Sequence, residues 1–84
     1  MEHSKEDLIK IVLNIIREET NYPESRIGLK QSLADELDID SISVMTILIN
    51  TQEQTKIEIP DEDWASLTTV ELLVDYLLEK QKGE

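Results

Sequence analysis

Ser41 stands between Asp40 and Ile42 at the midpoint of an 84-residue chain, in the run Asp38-Ile39-Asp40-Ser41-Ile42. A serine among carboxylates can serve as a nucleophile, as part of a cation site, or as a helix cap. Nucleophilic serines need a base within hydrogen-bond reach and a third group that orients it. The only histidine is His3, near the chain end, and there is no cysteine. No serine lies in a Gly-x-Ser-x-Gly elbow, and two glycines cannot make a Gly-rich phosphate loop. These absences argue against acyl transfer by a triad, and no catalytic residue is expected.

The carboxylates come in two dense groups: Asp35, Glu36, Asp38 and Asp40, then Asp61, Glu62 and Asp63. Hard cations favour such oxygens, but an EF-hand loop requires a central glycine and a terminal glutamate that neither group supplies. The expectation is two solvated acidic faces and no metal site. On caps alone, Asp40-Ser41 opens a helix and nothing more, a role worth about 1 kcal/mol.

The formal charge is -11, from 19 acids against 8 bases. Phosphate backbones and anionic membrane surfaces are repelled by such a chain. A basic protein partner is attracted, and its encounter is accelerated. Without cysteine there is neither disulfide nor thiol chemistry from the chain itself. No apolar run approaches the roughly 20 residues of a membrane span. Met1 to Lys5 lacks a signal peptide's apolar region, so a soluble, cytoplasmic protein is expected, acting as a monomer. The length fits one domain, residues 1–84. Eleven Ile, eleven Leu, four Val and no Phe require an aliphatic core.

Helices must position these residues. Ser4 reads as an N-cap with Asp7 three residues on, and the wide stripe from Leu8 to Ile16 predicts a helix buried on more than one side. Thr20 to Pro23 breaks it. Residues 20–40 form a long connection with a turn at Gly28 and a short helical turn near Ser32 to Leu37. A connection of this length often carries function. The second helix is expected from about Ser41 to Thr55, with Ile42, Met45, Ile47, Leu48 and Ile49 on its apolar face. Lys56 to Pro60 alternates like a strand but is too short to stand as a sheet. It reads as an extended link whose Ile57 and Ile59 plug the core. Pro60-Asp61-Glu62-Asp63 starts a short helix. Thr68-Thr69-Val70-Glu71 starts the last one with a capping box, and it runs to about Lys80 before a fraying Gly83-Glu84. The fold class is all-α: a small four-helix bundle of three longer helices and a short third one.

Leu33 to Ile42 resembles the attachment motif of the acyl carrier protein family, in which a leucine and a short acidic turn lead into Asp-Ser-Leu at a helix start. Ile57 to Asp63 is similar to the family's link into its short third helix, and Leu67 to Val70 to the start of its last. The resemblance extends from about Leu8 to Leu78. It implies that Ser41 carries 4'-phosphopantetheine as a phosphodiester on its hydroxyl. It implies that Asp40 assists the phosphopantetheinyl transferase and its metal ion. Ile42 takes the place of the leucine that anchors the helix start and meets partner enzymes. The protein would hold acyl intermediates as thioesters and deliver them to acyl-transferring and synthase enzymes with basic docking patches. A phosphate on Ser41 would lie near free backbone N–H groups at a helix N-terminus.

Departures from the family pattern bear on the pathway. Asp38 stands where glycine is usual, Ser43 and Thr46 where acids are usual, and Thr55 where an aromatic is common. Glu53 is the one acid between Ser41 and Gln54. A dedicated polyketide or lipid carrier is therefore at least as much in view as a housekeeping fatty-acid carrier. The rivals are an acidic helical adaptor that binds a basic partner without a cofactor, and a weak calcium-responsive module. Trp64 either caps the aliphatic core or meets an acyl chain or a partner.

Overall fold

Three well-capped helices and two short 3₁₀ turns make up the computed structural model, which describes residues 2–83. The Ser4 hydroxyl accepts the Asp7 N–H at 3.1 Å, and α1 spans Lys5–Thr20. Asn21 ends it in the left-handed conformation, with its N–H on the Arg17 carbonyl. Asp40 caps α2, Ser41–Thr55, through a 2.8 Å bond from the Ser43 N–H to Oδ1. Lys56 then turns left-handed to end it. The 3₁₀ helix Asp61–Ser66 follows, and α3 spans Val70–Lys82. The expected all-α architecture, three long helices and a short one, is what forms. Among the described residues there is no strand.

The core is one aliphatic cluster. Leu8, Val12, Ile15 and Ile16 of α1 are buried against α2 and α3, so the wide stripe covers two neighbours as its breadth predicts. Leu73, Val74 and Leu77 close the α3 side. Ile57 and Ile59 are buried from the extended link, and the Ile59 N–H is satisfied by Gln52 Oε1 at 2.9 Å.

Two expectations fail in detail. In α2 the buried face is Ile47, Leu48, Thr51 and Thr55, while Ile42, Met45 and Ile49 point outward. Threonine can enter the core here because each hydroxyl bonds back to its own helix: Thr51 to the Ile47 carbonyl at 2.8 Å, Thr55 to the Thr51 carbonyl at 2.7 Å. The α3 cap is Thr69, not Thr68. Its hydroxyl accepts the Leu72 N–H at 3.0 Å, while the Thr68 carbonyl is used by the Leu33 N–H of the long connection. The last helix also runs to Lys82, past Lys80, and the Gly83 N–H still reaches the Glu79 carbonyl. Fraying expected at Glu84 lies outside the described residues.

The long connection is held along its length. Tyr22 donates its hydroxyl to the Leu37 carbonyl at 3.0 Å, with the Arg26 guanidinium 3.9 Å from its ring centre. The Leu29 carbonyl accepts the Glu71 N–H at 2.9 Å. Gly28 does open a turn, and a Cβ there would meet Oε1 of Gln31 at 2.8 Å. Ser32 and Glu36 bracket a single capped turn: the Asp35 N–H bonds Ser32 Oγ and the Ser32 N–H bonds Glu36 Oε1.

Candidate functional site

That capped turn delivers the chain to Ser41. Leu33 and Leu37 anchor it in the core, and Asp38 then takes φ 59°. Left-handed backbone disfavours most side chains but is tolerated by Asp, which accounts for a position where glycine is usual. The reversal lets the Ile39 N–H reach the Leu33 carbonyl at 2.9 Å, and Ile39 is buried. Asp40 emerges at the surface, already set to cap α2.

Ser41 is therefore the first residue of α2 and is exposed. Because Asp40 makes the capping bond, the Ser41 hydroxyl lies outside the cap. Ile42 is 75% exposed, so it does not anchor the helix start in the core; Ile47 and Leu48 behind it do.

Beside Ser41 lies a cavity of about 290 Å³ with an apolar lining. Leu33, Leu48 and Leu67 form its buried floor, Val44 and Met45 one wall, and Trp64 of the 3₁₀ helix the other. Trp64 is half-buried against the core, with its indole N–H fixed on the Ile59 carbonyl at 2.8 Å. The 3₁₀ helix buries none of its residues fully. It is held from α3 by a 2.7 Å bond from the Tyr76 hydroxyl to Asp63 Oδ2. That phenol is pushed up to about 12, first by burial, then by the bond to Asp63 and the charges of Asp63, Glu58 and Glu62.

The structure thus brings Asp40, Ser41 and Ile42 together at one helix start. It leaves both acidic groups dispersed: among the described residues no three His, Cys, Asp or Glu side chains converge on a possible metal position. The Tyr76–Asp63 bond has no signature in the sequence, since its partners lie 13 positions apart on different elements. Of the cavity lining, Trp64 stood out in the sequence as a residue that could meet an acyl chain, whereas Leu33, Leu48 and Leu67 read only as core, because periodicity does not show that a gap is left beside them.

An exposed serine hydroxyl, free of capping duty and set at a helix N-terminus beside an apolar hollow, suits a tethered phosphate group. Residues 10–77 match the family model described as the phosphopantetheine attachment site, which places the chain among phosphopantetheine-bearing carriers. The acyl carrier protein of Myxococcus xanthus is 39% identical over 74 residues, covering 88% of this chain and 94% of that one. That of Renibacterium salmoninarum is 40% identical over 78 residues, covering 93% and 96%. The solved acyl carrier protein of Enterococcus faecalis, described for its thermal stability, superposes with a TM-score of 0.78 at 28% identity, over 93% of this chain and 99% of that one. The chain belongs to the acyl carrier protein family, whose cofactor is a covalent 4'-phosphopantetheine. No helix among the described residues is long and apolar enough to cross a membrane.

Proposed function

We propose that Ser41 is the attachment residue, and that the 84-residue chain acts as a single, non-catalytic carrier domain. It holds acyl groups as thioesters and delivers them to partner enzymes in the cytoplasm. The observation that carries this reading is the exposed Ser41 hydroxyl at the start of α2, released from capping by Asp40. The phosphopantetheine group supplies the thiol that a chain without cysteine lacks. Asp40 has two roles in this account. One carboxylate oxygen fixes the helix start, and the exposed carboxylate meets the metal ion that the transferase brings.

The hollow beside Ser41 supports shelter of an apolar cargo. An engineered apolar cavity of about 150 Å³ holds a benzene ring, so about 290 Å³ admits part of an acyl chain with the core leucines in place. The acid-poor α2 favours a dedicated pathway, polyketide or lipid-modifying, over general fatty-acid synthesis.

Peptide mapping after incubation with coenzyme A, magnesium and a broad-specificity phosphopantetheinyl transferase tests the assignment. One modified peptide containing Ser41 is expected. Modification at another serine, or at none in a folded sample, would refute it.

A further inference from the structure

The stretch that leads into Ser41 is held on two sides. Within it, the Leu37 N–H bonds the Ser32 carbonyl and the Ile39 N–H bonds the Leu33 carbonyl, both at 2.9 Å. From outside, the Tyr22 hydroxyl donates to the Leu37 carbonyl at 3.0 Å, reaching across 15 positions from the end of α1. The middle of the connection is tied to the α3 side instead, through the Leu29 and Leu33 backbone. Tyr22 is itself fixed. Its N–H bonds the Thr20 hydroxyl at 3.2 Å, and that hydroxyl donates to the Ile16 carbonyl at 2.7 Å. Its ring packs against the core, with the Arg26 guanidinium 3.9 Å from its centre.

The bonded carbonyl is the one that matters for Ser41. It belongs to the peptide unit that enters Asp38, so holding it holds the plane from which the Asp38 φ of 59° is measured. Left-handed backbone is disfavoured for a residue with a side chain by about tenfold in population. Such a conformation persists only where its surroundings hold it. Leu37 and Ile39, buried on either side, hold the side chains, and the Tyr22 hydroxyl holds the peptide between them. Released, the turn would relax and carry Asp40 and Ser41 with it, because Ile39 alone separates Asp38 from the cap residue.

Resting on the carrier reading above, we propose that Tyr22 is a positioning residue for the loading of Ser41: its hydroxyl, from the end of α1, holds the Leu37–Asp38 peptide in the turn that presents Ser41 to the transferase. Tyr22 touches neither Ser41 nor the incoming group. It acts by keeping the chain in the one conformer that the transferase can bind, and a protein that spends less time in that conformer shows a proportionally higher apparent dissociation constant. Once bound, the turn is held by the transferase itself. The effect of losing the hydroxyl therefore falls on KM and leaves kcat in place.

The test follows loading of the full chain by a broad-specificity phosphopantetheinyl transferase with saturating coenzyme A and magnesium, read as mass added to the Ser41 peptide. Tyr22→Phe removes the hydroxyl and keeps the ring under Arg26. Thr55→Val is the control. It removes a hydroxyl–carbonyl bond of 2.7 Å at the far end of α2, so it lowers the melting temperature without touching the turn. Tyr22→Phe is expected to raise KM for the carrier about threefold to tenfold, the population shift that one hydrogen bond commands, with kcat within about twofold of wild type. Exchange of the Ile39 amide should quicken in Tyr22→Phe while the α1 amides keep their protection. Thr55→Val should keep the wild-type KM. A wild-type KM in Tyr22→Phe, or an Ile39 amide that exchanges as in wild type, overturns the proposal and leaves Ser41 as the attachment residue. An equal rise in KM for Thr55→Val overturns it too, since general loss of stability would then explain both. A wild type that is never loaded removes the carrier reading and this proposal with it.

Discussion

The Tyr76 hydroxyl on α3 donates to Asp63 Oδ2 on the 3₁₀ helix at 2.7 Å, tying the short helix that carries Trp64, one wall of the cavity, to the last helix. Trp64, the next residue on that short helix, faces the cavity and is held separately on the Ile59 carbonyl. The wall is thus pinned by two side-chain bonds.

Removing one bond should loosen the wall before it loosens the fold. Tyr76→Phe is expected to cost about 1 kcal/mol in denaturant titration, the usual net value of a hydrogen bond. Amide exchange should rise over residues 61–67 and stay unchanged in α1. Uniform loss of protection across all three helices would contradict a local latch.

The same phenol sets a pH limit. Its folded pKa, about 12, lies above the ordinary value of 10, so the folded state keeps the proton longer than the unfolded chain does. The contribution is fully present below pH 10 and is lost as pH rises through 12. Wild type should therefore lose stability faster than Tyr76→Phe over that window. Parallel curves for the two proteins would show that this proton is not linked to folding.

Asp38 offers a test of backbone strain. At φ 59°, a β-branched residue is penalised and glycine is not. Asp38→Val should destabilise by about 1–2 kcal/mol, and Asp38→Gly should hold or raise the melting temperature. The reverse order would mean that this turn is not left-handed in solution.

Asp40 separates capping from chemistry. Asp40→Asn keeps a capping oxygen, whereas Asp40→Ala removes it at a cost of about 1 kcal/mol. If the carboxylate assists loading, both variants should be loaded slowly while only the alanine variant melts early. Loading of Asp40→Asn at the wild-type rate would reduce Asp40 to a cap.

Charge repulsion should show in salt. Lys5–Asp75, at 3.8 Å and exposed on both sides, is the ion pair among the described residues, and an exposed pair contributes little. Screening a net charge of -11 should outweigh its loss, so the melting temperature should rise with sodium chloride. A flat response would show that the acids are too dispersed to repel.

Much of this was legible in the sequence, for physical reasons. Ser4 and Asp40 announce helix starts because their short side chains reach the third N–H onward, and Ile57 and Ile59 read as plugs because nothing nearby could pair with them. The orientation of α2 was not legible. With Ile42, Met45 and Ile49 on one side and Ile47 and Leu48 on another, apolar spacing fits either face. Thr51 and Thr55 decide it, by bonding their hydroxyls to their own helix and entering the core. Thr68 and Thr69 are equally good caps in sequence; the Leu33 N–H, arriving from the long connection, takes the Thr68 carbonyl and leaves the cap to Thr69. Asp40, Ser41 and Ile42 were readable as a local motif, while the cavity beside them depends on Leu33, Val44, Leu48, Trp64 and Leu67 arriving from three separate segments.

Intact mass of wild type and Ser41→Ala, after the same transferase and coenzyme A treatment, addresses the central claim most directly. The Ser41 hydroxyl lies outside the α2 cap, so the alanine variant should keep the wild-type melting temperature and circular dichroism. One phosphopantetheine adduct on wild type and none on the variant is the predicted result. An adduct on folded Ser41→Ala would contradict the account.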